Sequence, residues 1–328
     1  MSDTSKPMRR SLLLESASAV LIERPAATRR LLRSALHGIG LRELRELDRM
    51  PETGTEFGLF QSVDLVVVDL AENDYAGARL VANIRRRIAA FNPFITTIAT
   101  SFTATPVLVS SAVNAGVDGI LIKPFSHRQF YDRVLQVLER RRPFVVTANY
   151  IGPERRPGER PGASSASPIE VPNTLRDKLI QGRSFNPRDS IAAIESAWGR
   201  VNREFGISGA CQILFLIRLA KSAFDDSAQE DAARELVRLR ETAKELLARV
   251  AEPGLGEVAS ELADWITRRL DVEPGAGNGR ALEQITRLTA TLICRLGSPA
   301  TPEALIQRAD RAALEYRARR AAASAPAP

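Results

Sequence analysis

The stretch VDLVVVDLAENDYAG, residues 63–77, decides how this chain is read. Leu65, Val66, Val67, Val68 and Leu70 surround a single acid, Asp69. An apolar run this short, bounded by polar residues, predicts a fully buried strand of a parallel sheet. Asp69 then stands at the carboxyl end of that strand, where open α/β sheets collect their chemistry. Read alone, such an acid merely ends a strand and caps a loop. The flanking segments decide between the two.

Upstream, residues 19–22 form a short apolar strand ending in Glu23-Arg24-Pro25. Residues 26–39 place Leu31, Leu32, Ala35, Leu36 and Ile39 on one helical face. Gly38 and Gly40 stand where a helix stops. Residues 41–47 predict a charged second strand, and 50–60 a short helix or loop. Downstream of Asp69 come a helix over 77–90, a break at Asn92-Pro93 and a β-branched strand over 94–100. A helix over 106–115 leads to a strand over 119–122, closed by Lys123-Pro124-Phe125. The helix over 126–141 carries Phe130, Val134, Val137 and Leu138 on one face. The arginines at 85–87 and 140–142 read as solvated helix ends, the latter suiting the negative end of a helix dipole. His37 and His127 read as surface residues at helix ends. Five strands alternating with helices predict an α/β doubly wound parallel sheet. The carboxyl ends of its first, third, fourth and fifth strands carry Glu23, Asp69, Thr100 and Lys123.

Three further pieces fall in one order and spacing: RRLLR at 29–33 with Gly40 beyond it, Asp69 with Gly77 eight residues on, and AGVDGILIKPF at 115–125. With these, residues 19–142 resemble the receiver domain of bacterial response regulators, the input module of two-component signalling. The resemblance covers under half of the chain. It implies a flavodoxin-like fold, and phosphorelay chemistry with Asp69 as phosphoacceptor. In that chemistry an Asp carboxylate attacks phosphorus while a divalent cation neutralises the developing charge. The resemblance assigns Glu23 and Asp69 as ligands of Mg²⁺, which favours hard oxygen donors. It assigns Lys123 and Thr100, or Ser101 beside it, to the phosphoryl group. It places Ile120 at a switch position that is often aromatic in the family, and a cis peptide before Pro124. It implies a sensor histidine kinase or phosphotransfer protein as partner, and a homodimer or partner surface over 107–115 and 130–138.

One position departs from the pattern. The second of two acids expected after the first strand is Arg24, which carries a fixed positive charge and cannot hold a metal. The residue before Gly77 is Ala76, less acidic than is common in the family. Two readings follow. Arg24 occupies the metal site and pairs with Asp69, making a pseudo-receiver, or Arg24 points outward and a weaker site survives on Glu23 and Asp69.

A chain of 328 residues is long for one core, so two domains are the natural reading. Residues 1–18 read as a leader and 143–172 as a Pro/Gly/Ser-rich linker, its 144–150 portion apolar enough to pack back on the sheet domain. Residues 173–321 read as an all-α helical bundle, with 322–328 a disordered tail. Its helices are predicted over 173–181, 187–205, 208–224, 227–250, 256–270, 280–296 and 302–320. Gly206 is read as the stop between the second and third. No histidine follows His127, which excludes a histidine phosphotransfer domain. Neither a phosphate-binding loop, zinc spacing nor a nucleophile elbow occurs, so the bundle reads as a protein-interaction output and not an enzyme. Cys211 and Cys294 sit in apolar helical patterns, as core thiols do. A net charge of +7 permits nucleic-acid contacts without requiring them. The alternative is a DNA-binding transcriptional regulator, with a helix-turn-helix over 188–218 turning at 205–209. Its second helix, CQILFLIRLAK, is too apolar for a groove. No apolar run approaches the ~20 residues that span a bilayer, which points to a cytoplasmic chain.

Overall fold

The computed structural model describes residues 16–51, 56–70, 75–155, 168–181, 184–226, 228–247 and 278–324. Apart from short pieces between 146 and 167, the chain divides into two compact units at Trp198 and Gly199.

The first unit is built on five parallel strands in the order β2-β1-β3-β4-β5. These are β1 Ser18–Ile22, β2 Glu43–Leu47, β3 Leu65–Asp69, β4 Thr96–Ser101 and β5 Gly119–Ile122. Every residue of β3 and β4 is buried, as strands covered on both faces require. The strand period of two sorts their side chains. Val66 and Val68 face the layer of α2 (Ala76–Arg85) and α3 (Pro106–Asn114), packing with Val81, Ile84, Leu108 and Ala112. Leu65 and Val67 face α1 (Ala26–Gly38) and α4 (His127–Glu139), packing with Leu32, Leu36, Phe130 and Val134. β2 lies at the sheet's edge with charged, partly exposed residues, which discourages a further strand from pairing there. The residue that caps α4 is Ser126, whose hydroxyl accepts from the Gln129 amide in a capping box.

Several boundaries move for physical reasons. α2 ends at Arg85, earlier than residue 90, because Arg87 adopts a left-handed φ of 59° and the chain turns away. Residues 56–60 form a 3-10 helix, Glu56–Phe60. Within the stretch read as a linker, β6 (Phe144–Thr147) and β7 (Tyr150–Pro153) pair as a hairpin, and Phe144 also bridges Ile169. Helix α5 (Thr174–Gln181) belongs with the sheet, not with the later helices. Leu175 is fully buried in the α1–α4 layer, and Lys178 pairs with Asp64 at 2.7 Å.

The arginine clusters are not all solvated helix ends. Arg85 is 1% exposed and Arg141 6%, and both bind the Asp118 carboxylate, at 2.7 and 3.0 Å. Arg87 pairs with Glu195 and lies over the rings of Phe91 and Trp198.

The second unit is helical. It begins within α6, one unbroken helix, Pro187–Asp225, whose first residues to Trp198 belong to the first unit, so Gly206 does not stop it and the turn a helix-turn-helix needs at 205–209 is absent. A Cβ on Gly206 would meet Leu296 at 3.1 Å, and one on Gly209 would meet Leu246 at 3.1 Å. Glycine there admits close neighbours and does not end a helix. Fused in this way, α6 becomes long and apolar enough, by length and composition, to cross a membrane, unlike the two shorter helices expected. Its Val201, Phe205, Ile213, Leu214 and Ile217 are buried within the chain, as in a core helix. Helix α7 (Gln229–Leu247) buries Ala232, Leu239 and Leu246. The last two described helices are α8 (Asn278–Arg295) and α9 (Pro302–Ser324). Phe215 of α6 meets Tyr316 of α9 edge-on at 5.7 Å, and Arg218 pairs with Asp310. Cys211 and Cys294 are free thiols, both half-buried. The helix read over 256–270 lies outside the described residues, as do residues 325–328 of the tail read over 322–328, whose first three residues continue α9 to Ser324.

Candidate functional site

Strand order brings the carboxyl ends of β1, β3, β4 and β5 to one edge of the sheet. Glu23, Asp69, Thr100 and Lys123 meet there, each 5% exposed or less. The Lys123 ammonium stands between two carboxylates, 2.6 Å from Glu23 Oε1 and 3.1 Å from Asp69 Oδ2. Thr100 Oγ1 donates to Glu23 Oε2 at 3.1 Å. Adjacent strand residues face opposite ways, which separates Thr100 from its neighbour. Ser101 Oγ instead accepts from the Thr103 amide at 3.1 Å, so Thr100 is the hydroxyl at the site. The peptide before Pro124 is cis. Ile120 is half-buried and packs on the α2–α3 layer.

Burial pushes the Glu23 carboxyl above its usual range. Hydrogen bonding and charge from Lys123 oppose that push, and the nearby Asp69 charge adds to it. Phe102 was not singled out by sequence reasoning. Its half-exposed ring lies 4.6 Å from Lys123 Nζ, measured to the centroid, and shields the ammonium from water. An aromatic residue directly after a buried strand was the available signal.

Arg24 is exposed. The loop that carries it is braced from α1, where Arg29 Nη1 donates to the carbonyls of Glu23 and Arg24 at 2.8 and 3.1 Å. Lys123 stands between Glu23 and Asp69.

Among the described residues, the oxygen donors at this edge fall short of a shell for Mg²⁺. That ion demands an octahedral shell of hard oxygens. Here both Glu23 oxygens are engaged by Lys123 and Thr100, the next position is an arginine, and an ammonium lies between the acids. Among the described residues there is no group of three or more His, Cys, Asp or Glu side chains able to hold a metal.

Gly77 has a specific task. A Cβ there would lie 2.4 Å from the Asp69 carbonyl oxygen and 3.1 Å from Val68 Cγ2. The first turn of α2 thus presses directly on the backbone of Asp69. Gly77→Ala is expected to destabilise the unit by about 1–3 kcal/mol, the usual cost of overpacking. Urea unfolding of the full chain measures it, and an unchanged midpoint would refute the close approach.

The strand order 2-1-3-4-5 is the flavodoxin-like arrangement. Similar solved structures include a signal receiver domain from Clostridium thermocellum, 20% identical, covering 38% of this chain and 98% of that one, with a TM-score of 0.34. The response regulator DrrB of Thermotoga maritima is 21% identical, covering 38% and 53%, with a TM-score of 0.32. Chemotaxis protein CheY4 of Vibrio cholerae is 16% identical, covering 37% and 98%, with a TM-score of 0.33. No family model matches the chain, and no curated protein matches it.

Proposed function

We propose that this is a cytoplasmic response-regulator-type signalling protein whose receiver domain acts as a docking module without metal-dependent phosphoryl transfer. The carrying observation is the closed charge set Glu23–Lys123–Asp69, in which the lysine occupies the space between the acids. Phosphoryl transfer to a carboxylate adds charge that a bound cation normally neutralises. With Arg24 in place of an acid, that cation has no evident cradle. A histidine kinase or phosphotransfer protein would then be a docking partner and not a phosphoryl donor. The helical unit would carry the output by binding another protein.

The test is labelling of the full chain by acetyl phosphate with Mg²⁺, for wild type, Asp69→Ala and Arg24→Asp. Wild type is expected to remain unlabelled, and so is Arg24→Asp, because Lys123 still fills the space between the acids. Wild-type label that disappears in Asp69→Ala would overturn the proposal and establish an ordinary phosphorylation switch.

A further inference from the structure

Glu23 lies nearer to Lys123 than Asp69 does, and it also accepts from Thr100. Lys123 Nζ is 2.6 Å from Glu23 and 3.1 Å from Asp69, and the Thr100 hydroxyl is committed to Glu23 at 3.1 Å. Glutamate is one methylene longer than aspartate. From the end of β1 its carboxylate passes beyond β3 register partners and reaches donors on β4 and β5. Glu23 is fully buried, and both its oxygens are engaged.

Any tetrahedral anion built on Asp69 would need a cation and a hydroxyl donor at about 3 Å to hold its oxygens. Lys123 is the cation within reach, and Thr100 the hydroxyl on the adjoining strand. The Phe102 ring over Lys123 lowers the local dielectric and strengthens whichever anion the ammonium holds. In this molecule that anion is already present as a side chain.

We propose that the Glu23 carboxylate is a built-in occupant of the anion position beside Asp69. It holds Lys123 and Thr100 as a phosphoryl group on Asp69 would, and so keeps the domain in a single docking state. The inference rests on the metal-independent reading above and names how that state is held.

The test uses beryllofluoride, a tetrahedral anion that coordinates carboxylate oxygens, with the full chain in EDTA and fluorine NMR as readout. Wild type is expected to show no bound resonance. Glu23→Ala vacates the position and is expected to bind at least about tenfold more tightly than wild type, the scale of one charge-assisted hydrogen bond regained. Adding Thr100→Val to Glu23→Ala is expected to weaken that binding, which a purely structural role for Glu23 would not predict. Glu23→Ser, which keeps a small polar group at that depth, serves if Glu23→Ala does not fold. A bound resonance of equal affinity in wild type, or none in either folded variant, would overturn the inference. The two failures stay separate, because acetyl phosphate labelling of wild type with Mg²⁺ removes the metal-independent reading whatever the fluorine spectra show.

Discussion

Asp118→Asn is expected to destabilise the first unit by about 3–5 kcal/mol, the loss typical of removing one partner from a buried charge network. Asp118 lies at the start of β5, and its side chain is 2% exposed. It accepts from Arg85 at 2.7 Å, from Arg141 at 3.0 Å and from the Thr97 amide at 2.8 Å. Arg85 also donates to the carbonyls of Gly116, Pro93 and Ile95, and both guanidiniums lie 5.1 Å from the Phe144 ring. Burial pulls Arg85 down to about 10 even with Asp118 beside it. An asparagine would leave two buried cations facing each other across a neutral amide that still donates. The pH dependence has a definite sign. Burial pushes the Asp118 carboxyl up, but the charges of Arg141 and Arg85 and the Thr97 amide outweigh it, and the net shift is downward. A carboxyl depressed in the folded state contributes stability that is present above its unfolded value and is lost as pH falls through its folded value. Asp118→Asn should therefore lose stability at neutral pH and show a shallower acid dependence than wild type. The chain has two units, so one global transition is not assured. Hydrogen exchange at β4 and β5 amides is the suitable measurement, and unchanged protection there would sink the prediction.

The same cluster illustrates what could be read in advance and what could not. The alternation of apolar runs with helical patterns was enough for a doubly wound sheet. In such a sheet, residues just past the strand ends must gather at one edge. Glu23, Asp69, Thr100 and Lys123 were therefore recognisable as a group. Their pairing was not. That Lys123 lies nearer Glu23 than Asp69 depends on one methylene of side-chain length and on where neighbouring strands end. Arg85 and Arg141 were misread because each sits in a run of three arginines, which looks like a solvated end. The helical register held a signal. Arg85 lies four residues beyond Val81 and so continues a buried stripe of α2, whereas Arg141 lies past the end of α4 and carries no such signal. Only the fold brings Asp118 between them. Gly206 was ambiguous for a different reason. Glycine both ends helices and admits close neighbours, and only the Leu296 side chain packed against it decides which.

At the opposite edge of the sheet the pH sign reverses. Lys123→Met is expected to cost about 3–5 kcal/mol at neutral pH, since it leaves Glu23 and Asp69 buried together without the ammonium between them. Methionine nearly preserves the volume, so the loss would be electrostatic and not a cavity effect. In wild type, burial already holds the Glu23 carboxyl above its usual range against the pull of Lys123. Without that pull, the Glu23 carboxyl should rise further and take up a proton in the folded state more readily than in the unfolded one. Stability then falls as pH rises and recovers as pH falls, by the linkage between proton uptake and folding. Chemical unfolding at pH ~5 and ~8 should show the deficit shrinking in acid, the reverse of the Asp118 corner. A deficit of the same size at both would mean that Lys123 contributes by packing alone. That outcome would remove the charge neutralisation on which the docking-module reading depends.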